Sequence, residues 1–311
     1  QAAHRIGSRA LKNKVLWAIA GASFVAIFAL NVPFPAIVAA AAVIGYVGGR
    51  IAPETFRAGG GHGQGNKSFG PALIDDDSPR LPHTRFAWPR LTKVLLAGLA
   101  LWLVPMLWLV INYGWEHTLT QMSWFFTKAA WLTFGGAYAV LPYVYQGAVS
   151  HFGWLSAPQM IDGLALGETT PGPLIMVVAF VGFVGGYAKA LFGPDSLFLA
   201  GAVAATLVTW FTFLPSFIFI LAGGPLVEST HNELRFTGPL TAITGAVVGV
   251  ILNLALFFGY HVLWPQGFGG ALDVVSGLIM LGAAVALFRF KIGVMPVIAG
   301  CAALGLLLRF F

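Results

Sequence analysis

The pentapeptide Thr169-Thr170-Pro171-Gly172-Pro173 breaks one apolar run of this chain, and Phe134-Gly135-Gly136 breaks another further upstream. In water such breaks are ordinary turns. In hydrocarbon they strand backbone N–H and C=O groups that no solvent can satisfy, so they persist only where protein buries them or a wet cavity reaches them. Gly/Pro-interrupted spans are the sequence mark of the binding region of a secondary transporter. A helix that restarts after such a break directs its first N–H groups and its positive dipole end into the gap, which suits an anion.

The surroundings of these breaks are membrane-like. Hydrophobic residues make up 58% of the 311 and charged residues only 9%, against roughly 25% charged in a soluble domain. The mean hydropathy is +0.83. Apolar stretches near the roughly 20 residues needed to cross a bilayer occur at Val94–Tyr113, Leu197–Ala222, Gly238–Leu263 and Leu272–Phe288. No strand-like alternation accompanies them, so the spans are helices. The net charge of +6 reads as Lys and Arg in loops that set topology, not as a nucleic-acid surface. Cys301 is the only cysteine and the seven His are scattered, so the sequence predicts no intramolecular disulfide and no metal site.

Nine membrane segments are expected, at about 15–31, 33–49, 94–113, 121–141, 171–190, 197–222, 238–264, 270–288 and 292–310. Residues 51–92 are a linker carrying Pro71, Pro79, Pro82, Pro89 and the acidic triplet Asp75-Asp76-Asp77, a composition that cannot bury a core. Arg5, Arg9, Lys12 and Lys14 place the start inside, and Arg50 to Lys93 place the linker inside. Alternation then puts the Trp115–Gln121 loop outside, residues 142–170 inside, Pro194-Asp195 outside and Glu228–Arg235 inside.

An internal repeat is also legible. The stretch from Phe24 through Pro35 to Gly45 resembles that from Ala284 through Pro296 to Gly305. Phe28/Phe288 and Gly45/Gly305 share an offset of 260, while the prolines need a one-residue gap. Each copy is a hairpin of two short apolar helices. The expected topology has the first entering from the inside and the second from the outside, the single helix 93–113 supplying the inversion.

Phe134-Gly135-Gly136, Gly153-Trp154 and Pro171-Gly172-Pro173 occur in this order within 125–183. On these motifs the chain resembles the chromate ion transporter family, whose repeated domain carries an F-G-G motif, a downstream G-W and a P-G-P. The resemblance covers about 122–311 as one domain, with 1–50 similar to the end of another. It implies that 1–50 is the terminal hairpin of a first transporter half, 51–92 a cytoplasmic linker, 93–113 a connecting helix and 121–311 the second half. It further implies export of chromate driven by the proton-motive force or by exchange.

The residues themselves carry a matching reading. Phe134, Gly135, Gly136, Thr169, Thr170, Pro171, Gly172 and Pro173 would hold the anion through backbone N–H groups and hydroxyls. Gly135, Gly136 and Gly172 would allow close backbone approach, with small-residue helix packing as the rival explanation. Lys128, a cation in an apolar helix, is read as substrate-binding, against snorkelling to the interface. Glu168 is read as the coupling group, against a plain helix-end carboxylate. Unit like charges 4 Å apart repel by about 4 kcal/mol at an effective dielectric near 20, so an anionic Glu168 beside a dianion is costly unless it takes up a proton. Thr206, Thr209 and Thr212 read as packing.

The fold expected is an all-α polytopic membrane helix bundle with broken, re-entrant helices and an inverted repeat whose first half is incomplete. The function expected is a secondary transporter exporting an oxyanion, chromate by resemblance, across a bacterial inner membrane. The partners are the anion, membrane lipid, and either a second copy or a first half, with no cofactor and no nucleic acid. No GxxxxGK[ST] motif is present, so an ion gradient or counter-substrate must supply the energy. The rivals are a sulfate carrier, a membrane enzyme built on Glu168 and His151, and a non-transporting assembly subunit.

Overall fold

Legs too short to cross a bilayer dominate the middle of the chain, and they decide the architecture. The computed structural model describes residues 6–8, 10–56, 87–133, 137–170, 172–229 and 237–310. Most of the linker lies outside this set, as do Phe134, Gly135, Gly136 and Pro171. The helices are α1 (Lys14–Phe28), α2 (Phe34–Ile51), the single turn α3 (Pro53–Phe56), α4 (Trp88–Tyr113), α5 (Thr118–Trp131), α6 (Ala137–Tyr145), α7 (Ala157–Thr169), α8 (Val177–Ala188), α9 (Leu197–Ser229), α10 (Thr237–Leu263), α11 (Val274–Phe288) and α12 (Val294–Phe310). Among the described residues no strand occurs. Four helical segments are long and apolar enough to cross a membrane: Phe34–Ile51, Trp88–Tyr113, Pro194–Gly224 and Thr237–Leu263. This is an all-α multi-pass membrane helix bundle.

The expected crossing 121–141 does not form. Helix α5 has 14 residues, about 21 Å at 1.5 Å per residue, short of the roughly 30 Å hydrocarbon core. The chain reverses between Trp131 and Ala137, and α6 runs back alongside α5. The Phe125 ring stacks on Tyr143 at 4.7 Å, and any Cβ on Gly147 would enter that same ring. Burying these aromatics outweighs a straight crossing that the Gly-Gly break would interrupt. The 142–170 segment is therefore not held at one face as the alternation implied. Its Gln146–Ser156 portion returns to the base of α5, where Trp154 packs on Phe126 with ring centroids 6.1 Å apart. Leu272–Phe288 forms the 15-residue helix α11, shorter than the four segments above.

Two apolar cores result. One joins α4 through α9, centred on Met122, Phe126, Val140, Met160, Val178 and Phe211. The other joins α1, α2, α3 and α10, around Leu16, Phe34, Ala242 and Val250. Tyr138 and Tyr143 pack against both, and the Phe34 amide donates to Gln146 Oε1 at 3.3 Å. Small residues let the helices approach closely, the dominant mode of association where lipid offers no hydrophobic drive. On α8, Gly182 and Gly186 lie against the backbone of Ala204 and Ala200 on α9. On α10, Gly238 meets Gly45, and Gly249 meets the Ala20 carbonyl.

The hairpins at the two ends of the chain are built alike. Helix α11 begins and ends 260 residues after α1, and α12 begins 260 after α2. Asn13 accepts from Leu16 N as the cap of α1, and Asp273 accepts from Ser276 N as the cap of α11. Ala29 N bonds Val25 O and Arg289 N bonds Val285 O, both at 2.9 Å; Val32 N bonds Ala26 O and Ile292 N bonds Ala286 O, both at 3.0 Å. Asn31 and Lys291 adopt the left-handed conformation, at φ 50 and 54.

Candidate functional site

Each break is flanked by the two arms of a helical hairpin. The first is α5–α6. The second is α7–α8, whose arms close through Gly167 against Leu174 and Val177, and Gly163 against Phe180. Met122 and Trp154 meet Gly185 at the shared base, so both hairpins enter from the same end of the bundle and their tips lie at the same end. At the tips the Tyr138 hydroxyl donates to Glu168 Oε1, and α6 touches the 3-10 turn Leu174–Met176 that opens the helical segment leading into α8. The two returning helical segments thus begin side by side, placing two positive dipole ends together.

The end of α5 lies partway along α4. A Cβ on Gly98 of α4 would collide with Ile218, and the neighbouring Phe219 ring lies 4.8 Å from Trp131, the last residue of α5. Gly98 stands ten residues from Trp88 and fifteen from Tyr113, about 15 and 22 Å of helix. A polar ladder fixes α5 there: Ser123 donates to Leu119 O at 2.8 Å, Thr127 to Ser123 O at 2.8 Å, and Trp102 Nε1 to Thr127 Oγ1 at 3.0 Å.

The predicted site residues separate into groups. Glu168, half-buried, sits at the junction of the tips. Thr169 and Thr170 flank it and are exposed. Their hydroxyls donate back to helix carbonyls, Thr169 to Leu166 O at 2.9 Å and Thr170 to Leu166 O at 2.7 Å. They therefore close the end of α7 and do not cap the next helix. The helix restarts after Pro173, not at Pro171. Gly172 is exposed and its N–H donates to Thr170 O at 2.8 Å. Phe134, Gly135, Gly136 and Pro171 lie outside the described residues.

Lys128 is set apart. It lies on the exposed face of α5, its ammonium 5.7 Å from the Trp124 ring. His151 does not meet Glu168 either, because it ends the π-turn Gln146–His151 at the hairpin base. About 20 Å of helix separates it from Tyr138. Gln159 forms a capping box with Ser156. Thr206, Thr209 and Thr212 donate to the carbonyls four residues back, at 2.8, 2.8 and 2.7 Å. Sequence reasoning missed Tyr138 and Gln146. Each is a hydrogen-bonding side chain in an apolar stretch, and that was the available signal.

The fold is that of a multi-pass membrane helix bundle in which two helical hairpins meet at their tips. The family model for the chromate transporter matches residues 120–306, and the chain belongs to that family. It is 34% identical over 253 residues to a chromate transport protein of Pseudomonas aeruginosa, covering 81% of this chain and 50% of that one. It is 26% identical over 189 residues to a chromate transport protein of Cupriavidus metallidurans, covering 60% and 42%. This chain spans about half the length of those curated relatives. An uncharacterized transporter of Bacillus subtilis is 22% identical over 165 residues, covering 53% of this chain and 76% of that one. No solved structure matches the chain.

Proposed function

We propose that this chain works within a secondary active transporter that exports chromate from the cytoplasm across a bacterial inner membrane, its two hairpin tips supplying the anion-binding element. The observation that supports this reading is the Tyr138–Glu168 hydrogen bond, which joins the two hairpins at their tips. Two helix starts adjoin there, and exposed backbone at Gly172 and Pro173 flanks them. The named function of the relatives supplies the substrate.

In the joined state Glu168 accepts from Tyr138, and a dianion approaching the tips meets that carboxylate. Proton uptake by Glu168 removes the repulsion and turns the carboxyl into a donor. The Tyr138 hydroxyl is then released from a charge-assisted bond and available to an oxyanion. Co-binding of this kind would carry proton and anion the same way, whereas export on an inward proton gradient needs them to alternate. Glu168 therefore either exchanges its proton for the anion in the opposite half-cycle or only holds the tips together. Lys128, pointing outward beside Trp124, anchors α5 against its surroundings and is left out of the binding element. The test is chromate accumulation by cells expressing the complete protein. Accumulation below that of control cells is expected, and accumulation equal to control overturns the reading. Competition by sulfate at the same flux would extend the substrate class to tetrahedral dianions.

A further inference from the structure

The hairpin α1–α2 grips α10, whereas its structural equivalent α11–α12 grips nothing comparable. In the first, Leu16 lies against Gly245, the Ala20 backbone against Gly249, and Gly45 against Gly238. Ile19, Ser23, Ile37 and Ala41 are buried beneath α10. In the second, no residue of α11 is buried. Between its arms lies an apolar groove of about 520 Å³, and Ile279, Ala283, Val297 and Cys301 line it. These four stand 260 residues after Ile19, Ser23, Ile37 and Ala41. The open groove is therefore the same face that the first hairpin closes on a helix.

The direction of the missing occupant follows from the contacts. Helix α1 runs parallel to α10, since Leu16 pairs with Gly245 and Ala20 with Gly249. Helix α11 starts beside the end of α10, where Asp273 N donates to Leu263 O at 2.9 Å and Gly277, one turn on, still faces Leu263. With α12 touching α7, the inverted repeat takes α11 back along the bundle, antiparallel to α10. A helix seated on α11–α12 in the manner of α10 on α1–α2 runs parallel to α11 and antiparallel to α10. A second copy of this chain inserted in the same orientation presents its α10 the wrong way round, and that α10 already carries its own α1–α2.

We infer that the α11–α12 groove seats the counterpart of α10 from a homologous transporter half inserted with opposite topology, so that each half clasps the long helix of the other. The chromate transport relatives, about twice the length matched here, have room for such a half. The occupant is an apolar transmembrane helix with Gly and Ala at four-residue spacing, as at Gly238, Ala242, Ala246 and Val250 or Gly245 and Gly249 of α10. The inference does not depend on which anion is carried.

The test uses Cys301, the native cysteine in the groove. Benzophenone-maleimide attached to Cys301 in membranes of cells making the complete protein is photolysed, and the crosslinked peptide is sequenced. Capture of a small-residue-striped helix of the homologous half, crosslinked in the antiparallel register, is expected. Capture only of lipid, or of a second copy of this chain, overturns the inference. A companion variant separates the groove from the fold. A Cβ at Gly282 or Gly300 meets nothing within 4 Å, so Gly282→Leu and Gly300→Leu leave this chain's own packing intact. They should reduce the Cys301 crosslink at least tenfold with unchanged membrane insertion. An unchanged crosslink in both variants contradicts the proposed seat.

Discussion

Tyr138 donates its phenolic proton to Glu168 across 30 residues of chain, and this is the hydrogen bond that ties one re-entrant tip to the other. A bond to a charged group contributes about 1.5–3 kcal/mol, and groups in direct contact are non-additive. Tyr138→Phe and Glu168→Gln should each slow chromate transport about tenfold, and the double variant should be no slower than the worse single. Transport rates in the complete cycle check this. Strictly additive losses would mean that the two side chains act independently.

Gly172 and Gly186 should respond differently to the same change. At Gly172 a Cβ meets only Thr170 Cγ2, at 3.7 Å, whereas at Gly186 it meets Ala200 O at 2.6 Å and the Ala204 Cβ at 2.7 Å. Gly186→Val should force α8 and α9 apart, overpacking of this kind costing about 1–3 kcal/mol or more, and lower the yield of folded protein. Gly172→Val should insert normally and lose transport. Normal transport by Gly172→Val, measured at matched expression, removes the backbone at that tip from the binding element.

Much of this was legible in the sequence, and the failures have physical causes. The two breaks, the long spans and the repeated terminal hairpin all appear as Gly/Pro punctuation and apolar runs. The one-residue mismatch between Pro35 and Pro296 dissolves once both fall in the first turn of a helix, where a missing N–H costs nothing. The antiparallel pairing of α5 and α6 was hidden because a straight helix and a hairpin bury the same apolar residues. Only Phe125 stacking on Tyr143 separates the two. Lys128 reads as substrate-binding from its charge in an apolar helix; it lies on the exposed side of α5 with Trp124 and Trp131. Tyr138 escaped notice because an aromatic in a membrane helix normally signals burial alone.

His117 gives the α5 hairpin a pH-dependent start. Its Nδ1 accepts from Leu119 N at 3.3 Å, and burial holds its pKa below the usual 6.5. Only the neutral ring can accept. A depressed folded value means that its stabilisation is fully present above pH 6.5 and is lost as the pH falls through the folded pKa. Protection factors for amide exchange in the first turn of α5, corrected for the intrinsic pH dependence of exchange, should therefore fall between pH 7.5 and 5. His117→Asn, which keeps a capping acceptor without titrating, should abolish the difference. Equal pH dependence in both proteins would exclude the cap as its source.

The terminal hairpins should open to opposite sides. With Cys301 replaced by Ser, single cysteines at Asn31 and Lys291 mark the turns of α1–α2 and α11–α12, which the inverted repeat sets on opposite faces. A membrane-impermeant maleimide should label Asn31→Cys from the outside and Lys291→Cys from the inside. Labelling of both from one side would end the inverted arrangement.

The central claim is that protonation of Glu168 between the tips is coupled to movement of the anion. The most direct measurement is the pH profile of chromate transport by the complete protein in vesicles, compared with that of Glu168→Gln. The variant keeps an acceptor for Tyr138 and cannot titrate. Transport by the parent protein should change across the profile, and the variant should bind chromate at least as tightly while its profile flattens. A Glu168→Gln profile indistinguishable from that of the parent would reduce the tip pair to a structural latch and contradict the account.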